Sequence, residues 1–241
     1  MTPAARERAV VRTPMLLVTV GAWIFLGIQA LTAGPHAHHT RMNSMGSALG
    51  SWLLMLPAMM APVIIPSVRH VRSHSLARRR TRAVALFLMG YVCMWTLAGA
   101  AVLPLLYSGH PYLPLLVALA AASWHVSPLK QWCLNRCHAH PPLAAFGLAA
   151  DLDASRFGLI HGVWCVGSCW APMLLPMLLP GQHYLAMACS SLWVFAERME
   201  VPASPAWRIR APRRALRLVA ETVRNSLGGG SPIHEFARTF R

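Results

Sequence analysis

Acidic residues are what this 241-residue sequence most lacks: it has seven Asp and Glu against 22 Lys and Arg. Charged residues of both signs make up 12% of the chain, about half the share of an ordinary soluble domain. That excludes the usual charged globular surface. Cys-x-x-Cys is missing, which argues against a thioredoxin-like redox motif. The sequence has no glycine-rich phosphate loop and no repeat at a period of about 20–50 residues. Although the formal net charge is +15, the basic residues form no continuous face interleaved with aromatics. A nucleic-acid partner is therefore not expected.

What the chain has in abundance is apolar sequence, 56% of its residues. It falls in six runs, at 14–34, 48–68, 83–107, 111–126, 157–180 and 184–196. A bilayer takes about 20 apolar residues per helical crossing. Backbone amides in lipid must be bonded within the segment, so each run should be helical. The expected fold is all-α, a polytopic transmembrane bundle of about six helices. A basic arm at 1–13 precedes this membrane domain (14–200), and a basic tail at 201–241 follows it. The first run is longer than the apolar part of a signal peptide, and is read as a retained helix.

The basic residues orient these runs. Three lie before the first run, six between the second and third, three between the fourth and fifth, and nine after the sixth. With six crossings, 21 of the 22 share one side, and Arg41 alone lies on the other. The positive-inside rule then places both termini in the cytoplasm. In the tail, Leu216, Val219, Ala220, Val223 and Leu227 recur at helical spacing opposite Arg213, Arg217 and Arg224, ahead of Gly228, Gly229 and Gly230. Such a helix either lies on the anionic inner leaflet or is a solvated tail.

None of the six cysteines falls in an expected outer loop, so no extracytoplasmic disulfide framework is available. Four form two pairs at one spacing, Cys133/Cys137 and Cys165/Cys169. Residues four apart share a helix face, about 6 Å apart along the axis. Two thiolates so placed can hold one soft ion, and Cu(I) accepts few sulfur ligands. His161, Cys165, Cys169 and Met173 follow one another in steps of four. They form either a line of nitrogen and sulfur donors or ordinary helix packing, although a histidine inside a membrane is costly without a function.

Met55, Met59 and Met60 supply a second donor face on the second run, beside Pro57 and Pro62. The second and fifth runs are antiparallel, so Met59 and Cys169 both fall near mid-membrane and are expected to converge. Thioethers suit Cu(I), but methionine is also common core filler. Cys133, Cys137, His138 and His140 are enough by count for a tetrahedral zinc site at the cytoplasmic surface. Lys130 and Arg136 should favour the thiolates there, and a purely structural knuckle is the alternative. His36, His38, His39, Met42 and Met45 suggest metal capture outside or are incidental. His183 precedes Met187 by four and leads toward Glu197, which with Arg198 is expected to form an interfacial ion pair.

At these motifs the sequence resembles a bacterial family of predicted metal-binding integral membrane proteins, a domain of unknown function with some members described as copper chaperones. The matching strings are Trp52-x-x-Met55-x-x-x-Met59-Met60-x-Pro62, Gly90-Tyr91 with Trp95, Ser127-Pro128-Leu129-Lys130-x-x-Cys133-Leu134-x-x-Cys137, His161-Gly162-x-x-Cys165-Val166-Gly167-Ser168-Cys169-Trp170, and Glu197-Arg198. They span roughly residues 52–198. Three positions depart from the family. Ser168 stands where a further cysteine is usual, His125 where glutamine is common, and His183 where methionine is common. The resemblance implies metal binding, with copper and then delivery as narrower implications, in the bacterial inner membrane. The expectation is a Cu(I)-binding protein, not an enzyme, that sits in the lipid bilayer and loads a partner cuproprotein. A copper or other metal transporter and a membrane thiol oxidoreductase are the rivals.

Overall fold

The computed structural model describes residues 3–33, 45–106, 108, 110–209 and 211–227, and among them every regular element is helical. The helices are α1 (Pro3–Ala33), α2 (Met45–Ser73), α3 (Arg80–Leu106), α4 (Leu113–Val126), α5 (Pro128–Cys137), α6 (Gly147–Leu178), α7 (His183–Arg198) and α8 (Arg213–Leu227). Four stretches are long and apolar enough to cross a membrane: Ala9–Thr32, Gly46–Ser73, Ala77–Leu106 and Gly147–Leu178. They match the first, second, third and fifth runs.

The fourth and sixth runs are shorter helices. The 14 residues of α4 end where Ser127 caps α5, and the chain bends there by 67°. Taken as one broken span, α4 and α5 make a fifth candidate crossing. The 16 residues of α7 cover about 24 Å, short of the roughly 30 Å of a hydrocarbon core.

Four helices make a ring. α3 packs against α2 on one side and α6 on the other, and α7 likewise joins α6 to α2. α1 covers the outer side of α2, while α4 and α5 lie on α6. α2 and α6 therefore face one another across the ring and meet through side chains, as where Ser67 Oγ lies 3.3 Å from His161 Nε2. Leu17, Ile24, Ile28 and Leu31 of α1 stay exposed, as a lipid-facing helix requires.

Prolines inside the helices leave carbonyls without their usual amide partner. Pro62 frees the carbonyl of Ala58, and the Trp23 indole N–H of α1 donates to it at 3.1 Å. Broken backbone at this depth is tolerated where neighbouring protein satisfies it. The tightest crossing is between α3 and α6, where Gly158 lies against Gly90 and Phe87 and Gly162, one turn on, against Tyr91 and Met94. A Cβ on Gly90 would come within 2.7 Å of the Ser155 carbonyl, and one on Gly158 would collide with the Phe87 carbonyl. Small residues at this spacing let membrane helices meet backbone to backbone. At the charged end, Arg79 and Arg82 both reach Asp151 Oδ2 at 2.8 Å and tie the start of α3 to α6.

Gly158→Leu should therefore separate α3 from α6 and destabilise the protein by at least about 1–3 kcal/mol, the usual cost of overpacking a tight interior. Chemical denaturation in detergent measures it. A variant as stable as wild type would show that the close approach is not needed.

Candidate metal centre

The four-residue line on α6 faces into the ring. His161, Cys165, Cys169 and Met173 are all buried, between 0 and 2% exposed. On the opposite wall, Met55, Met59 and Met60 of α2 are equally buried, and Met187 of α7 joins them in the same core cluster. Soft-atom side chains from three helices thus belong to one hydrophobic core. Those of α2 and α6 lie on opposite sides of the ring, with α3 and α7 between the two helices.

Around the thiols the contacts are specific. Cys165 and Cys169 stand one turn apart on α6, and the Tyr91 hydroxyl lies 3.2 Å from Cys165 Sγ. Ser168 donates to the Cys165 carbonyl at 3.0 Å, and its Oγ stands 3.3 Å from Cys169 Sγ and 3.8 Å from Cys137 Sγ. Cys137 is therefore part of the same buried cluster. Ser168 removes a thiol from the α6 string, but Cys137 brings another sulfur to it from α5. Cys133 packs against Gly167, where a Cβ would lie 2.7 Å from its sulfur. All six cysteines are free thiols.

The expected surface zinc site is not assembled. Both α5 thiols turn onto α6, whereas His138 uses Nδ1 on the Leu134 carbonyl and Nε2 on the Arg198 carbonyl. His140 stacks near His70, with ring centroids 4.9 Å apart. The reason is local. Cys133 and Cys137 share the face of α5 that packs, and the histidines follow the end of the helix. Lys130 and Arg136 do not act on these thiols either. Lys130 goes to Glu197 and, at 2.9 Å, to His125 Nδ1, and Arg136 lies over the Trp132 ring. Among the described residues, no three His, Cys, Asp or Glu side chains form a ready metal-holding set.

His183 Nδ1 lies 2.9 Å from the Pro176 carbonyl at the far end of α6. The His36–Met42 group lies outside the described residues, and the side chain of Met45 with it.

Glu197 and Arg198 do not pair. They diverge: Glu197 meets Lys130 in a buried ion pair, with His125 Nε2 at 3.7 Å. The Arg198 guanidinium instead lies within electrostatic range of Cys137, Cys165, Cys169 and Tyr91. Its Nε and Nη2 are sealed from solvent and have no hydrogen-bond partner. Tyr91, Ser168 and Arg198 are the residues a motif reading underrates. A signal for Arg198 exists in the spacing Met187, Ser190, Val194, Arg198, which follows one helix face.

His161 connects this interior to the outside. Its Nδ1 is buried without a partner, and its ring helps line a cavity of about 380 Å³ together with Arg136, His140, Asp153, Arg156 and Trp164. An imidazole nitrogen left unsatisfied next to a cavity suits a metal donor, since such a group is otherwise costly.

Residues 49–212 match the model of the PpoB2 family, described as copper chaperone. The chain belongs to this family. No curated protein and no solved structure matches it. The stretch assigned to the copper chaperone family contains every donor placed in or near the ring, from Met55 to Met187, and also Arg198.

One outcome follows. Lys130→Met, which strands Glu197 in the interior, should cost about 3–5 kcal/mol of stability, and Lys130→Met with Glu197→Met should recover most of it.

Proposed function

We propose that this protein is a multi-pass inner-membrane protein that binds Cu(I) in the α2–α6 ring and loads it into a partner cuproprotein. The observation that carries the reading is the gathering of free thiols, thioethers and one unsatisfied imidazole in a single buried space. Cu(I) is soft and satisfied by few sulfur ligands, and thiolates and thioethers select it over hard cations. Cys165 and Cys169 are the central pair. Met55, Met59, Met60 and Met173 are neutral donors at hand, and Cys137 and His161 stand toward the exchange side.

Copper is here cargo. It passes between soft ligands by stepwise ligand exchange, which makes and breaks no covalent bond of the protein, so no enzymatic step is assigned. The cavity next to His161 is the way in from the surface. Six crossings with both termini in the cytoplasm remain the best account of the charge, because they leave Arg41 as the sole basic residue outside. The short α4 and α7 then cross through tilting or local thinning of the bilayer. A transporter that carries copper fully across is the nearest rival, supported by the donors continuing along α6 to Met173. Copper flux into vesicles without any acceptor protein would favour it.

Protein purified in detergent and loaded with Cu(I) should hold about one ion per chain, given the few ligands Cu(I) needs. Cys165→Ser with Cys169→Ser should lose it. Metal analysis of both decides, and equal copper in the two would remove the central site.

A further inference from the structure

The position of Arg198 is not explained by copper binding alone. It is a cation next to a metal site, where a like charge should hinder a metal ion. Its neighbour in sequence, Glu197, is turned away to Lys130, and no ion pair is formed by Arg198 among the described residues. The groups within its electrostatic range include three thiols and a phenol. Two of its nitrogens, Nε and Nη2, are buried without partners. A permanently charged guanidinium is costly to keep in a low-dielectric interior without an anion.

We propose that Arg198 is the built-in counter-charge of the thiolate–metal complex and sets the preference for a monovalent ion. The proposal rests on the copper reading above. Cysteines ligate as thiolates, so binding proceeds as two thiols plus Cu(I) giving a bis-thiolate complex of charge −1 and two released protons. With Arg198 the site then sums to zero. The same two thiolates with a divalent ion are already neutral, so Arg198 keeps the uncompensated charge it has in the empty site and gives such an ion no advantage. Low dielectric makes that difference large. Methionine thioethers can add ligands without altering the sum, which explains why the rest of the cluster is sulfur without charge. Charge balance thereby separates Cu(I) from thiophilic divalent ions that softness alone would admit.

The test uses the full chain in detergent, with Cu(I) affinity measured by competition against a chromophoric Cu(I) chelator and Cd(II) affinity by its thiolate absorption. Arg198→Met should weaken Cu(I) by at least about tenfold, as loss of a buried counter-charge does, and should leave Cd(II) nearly unchanged. Arg198→Lys should retain most of the wild-type preference. An unchanged Cu(I)-to-Cd(II) ratio in Arg198→Met would overturn the proposal. Should that variant not fold, wild type still decides. Ag(I), monovalent and soft, should displace Cu(I), and Cd(II) at equal concentration should not. Displacement by Cd(II) would sink the idea. If wild type binds no copper, or the Cys165/Cys169 double variant binds as much, the copper reading itself fails. A flat ratio alongside intact copper binding removes only the role of Arg198.

Discussion

The close approach of α3 and α6 governs the geometry of everything else. Gly90, Gly158 and Gly162 carry no side chain into that crossing, so the two backbones meet directly. Only at that separation does Tyr91, one residue beyond Gly90, bring its hydroxyl to 3.2 Å from Cys165. The same crossing leaves the line from His161 to Met173 pointing into the ring. In lipid there is no hydrophobic drive between apolar helices, so such packing is a principal means of fixing their spacing. A slightly wider crossing would leave the thiols without their hydroxyl partner and the ring without a defined interior.

Polarity inside the ring is distributed economically. Trp23 closes the carbonyl that Pro62 leaves open, and Ser168 bonds back to its own helix while standing between Cys137 and Cys169. Two adjacent residues at the end of α7 do opposite jobs. Glu197 completes a buried pair with Lys130, which joins α7 to α5 and anchors the short bent segment. Arg198, about 100° around the helix, lies within electrostatic range of the sulfurs. Adjacent positions on a helix point to different neighbours, and here that separates a structural charge from one directed at the site.

Much of the donor set was legible because helical periodicity is rigid. Steps of four place His161, Cys165, Cys169 and Met173 on one face whatever they pack against, and all four are buried. Met55, Met59 and Met60 behave likewise. Cys133, Cys137, His138 and His140 do not act as a unit, because a count of donors carries no direction. The α5 face turns the thiols inward, and the helix end sends the histidines elsewhere.

Composition and apolar run lengths settle that the chain is helical and suited to a membrane, since a backbone without water has few alternatives. They also settle which residues share a helix face, since that depends only on local geometry. Which faces meet is a matter of tertiary packing. The union of Cys137 with the α6 pair, the contact of Tyr91 with Cys165 and the pairing of Glu197 with Lys130 all arise between segments distant in the chain. Their distances depend on how closely helices approach and where α4 bends into α5. No local periodicity encodes those quantities.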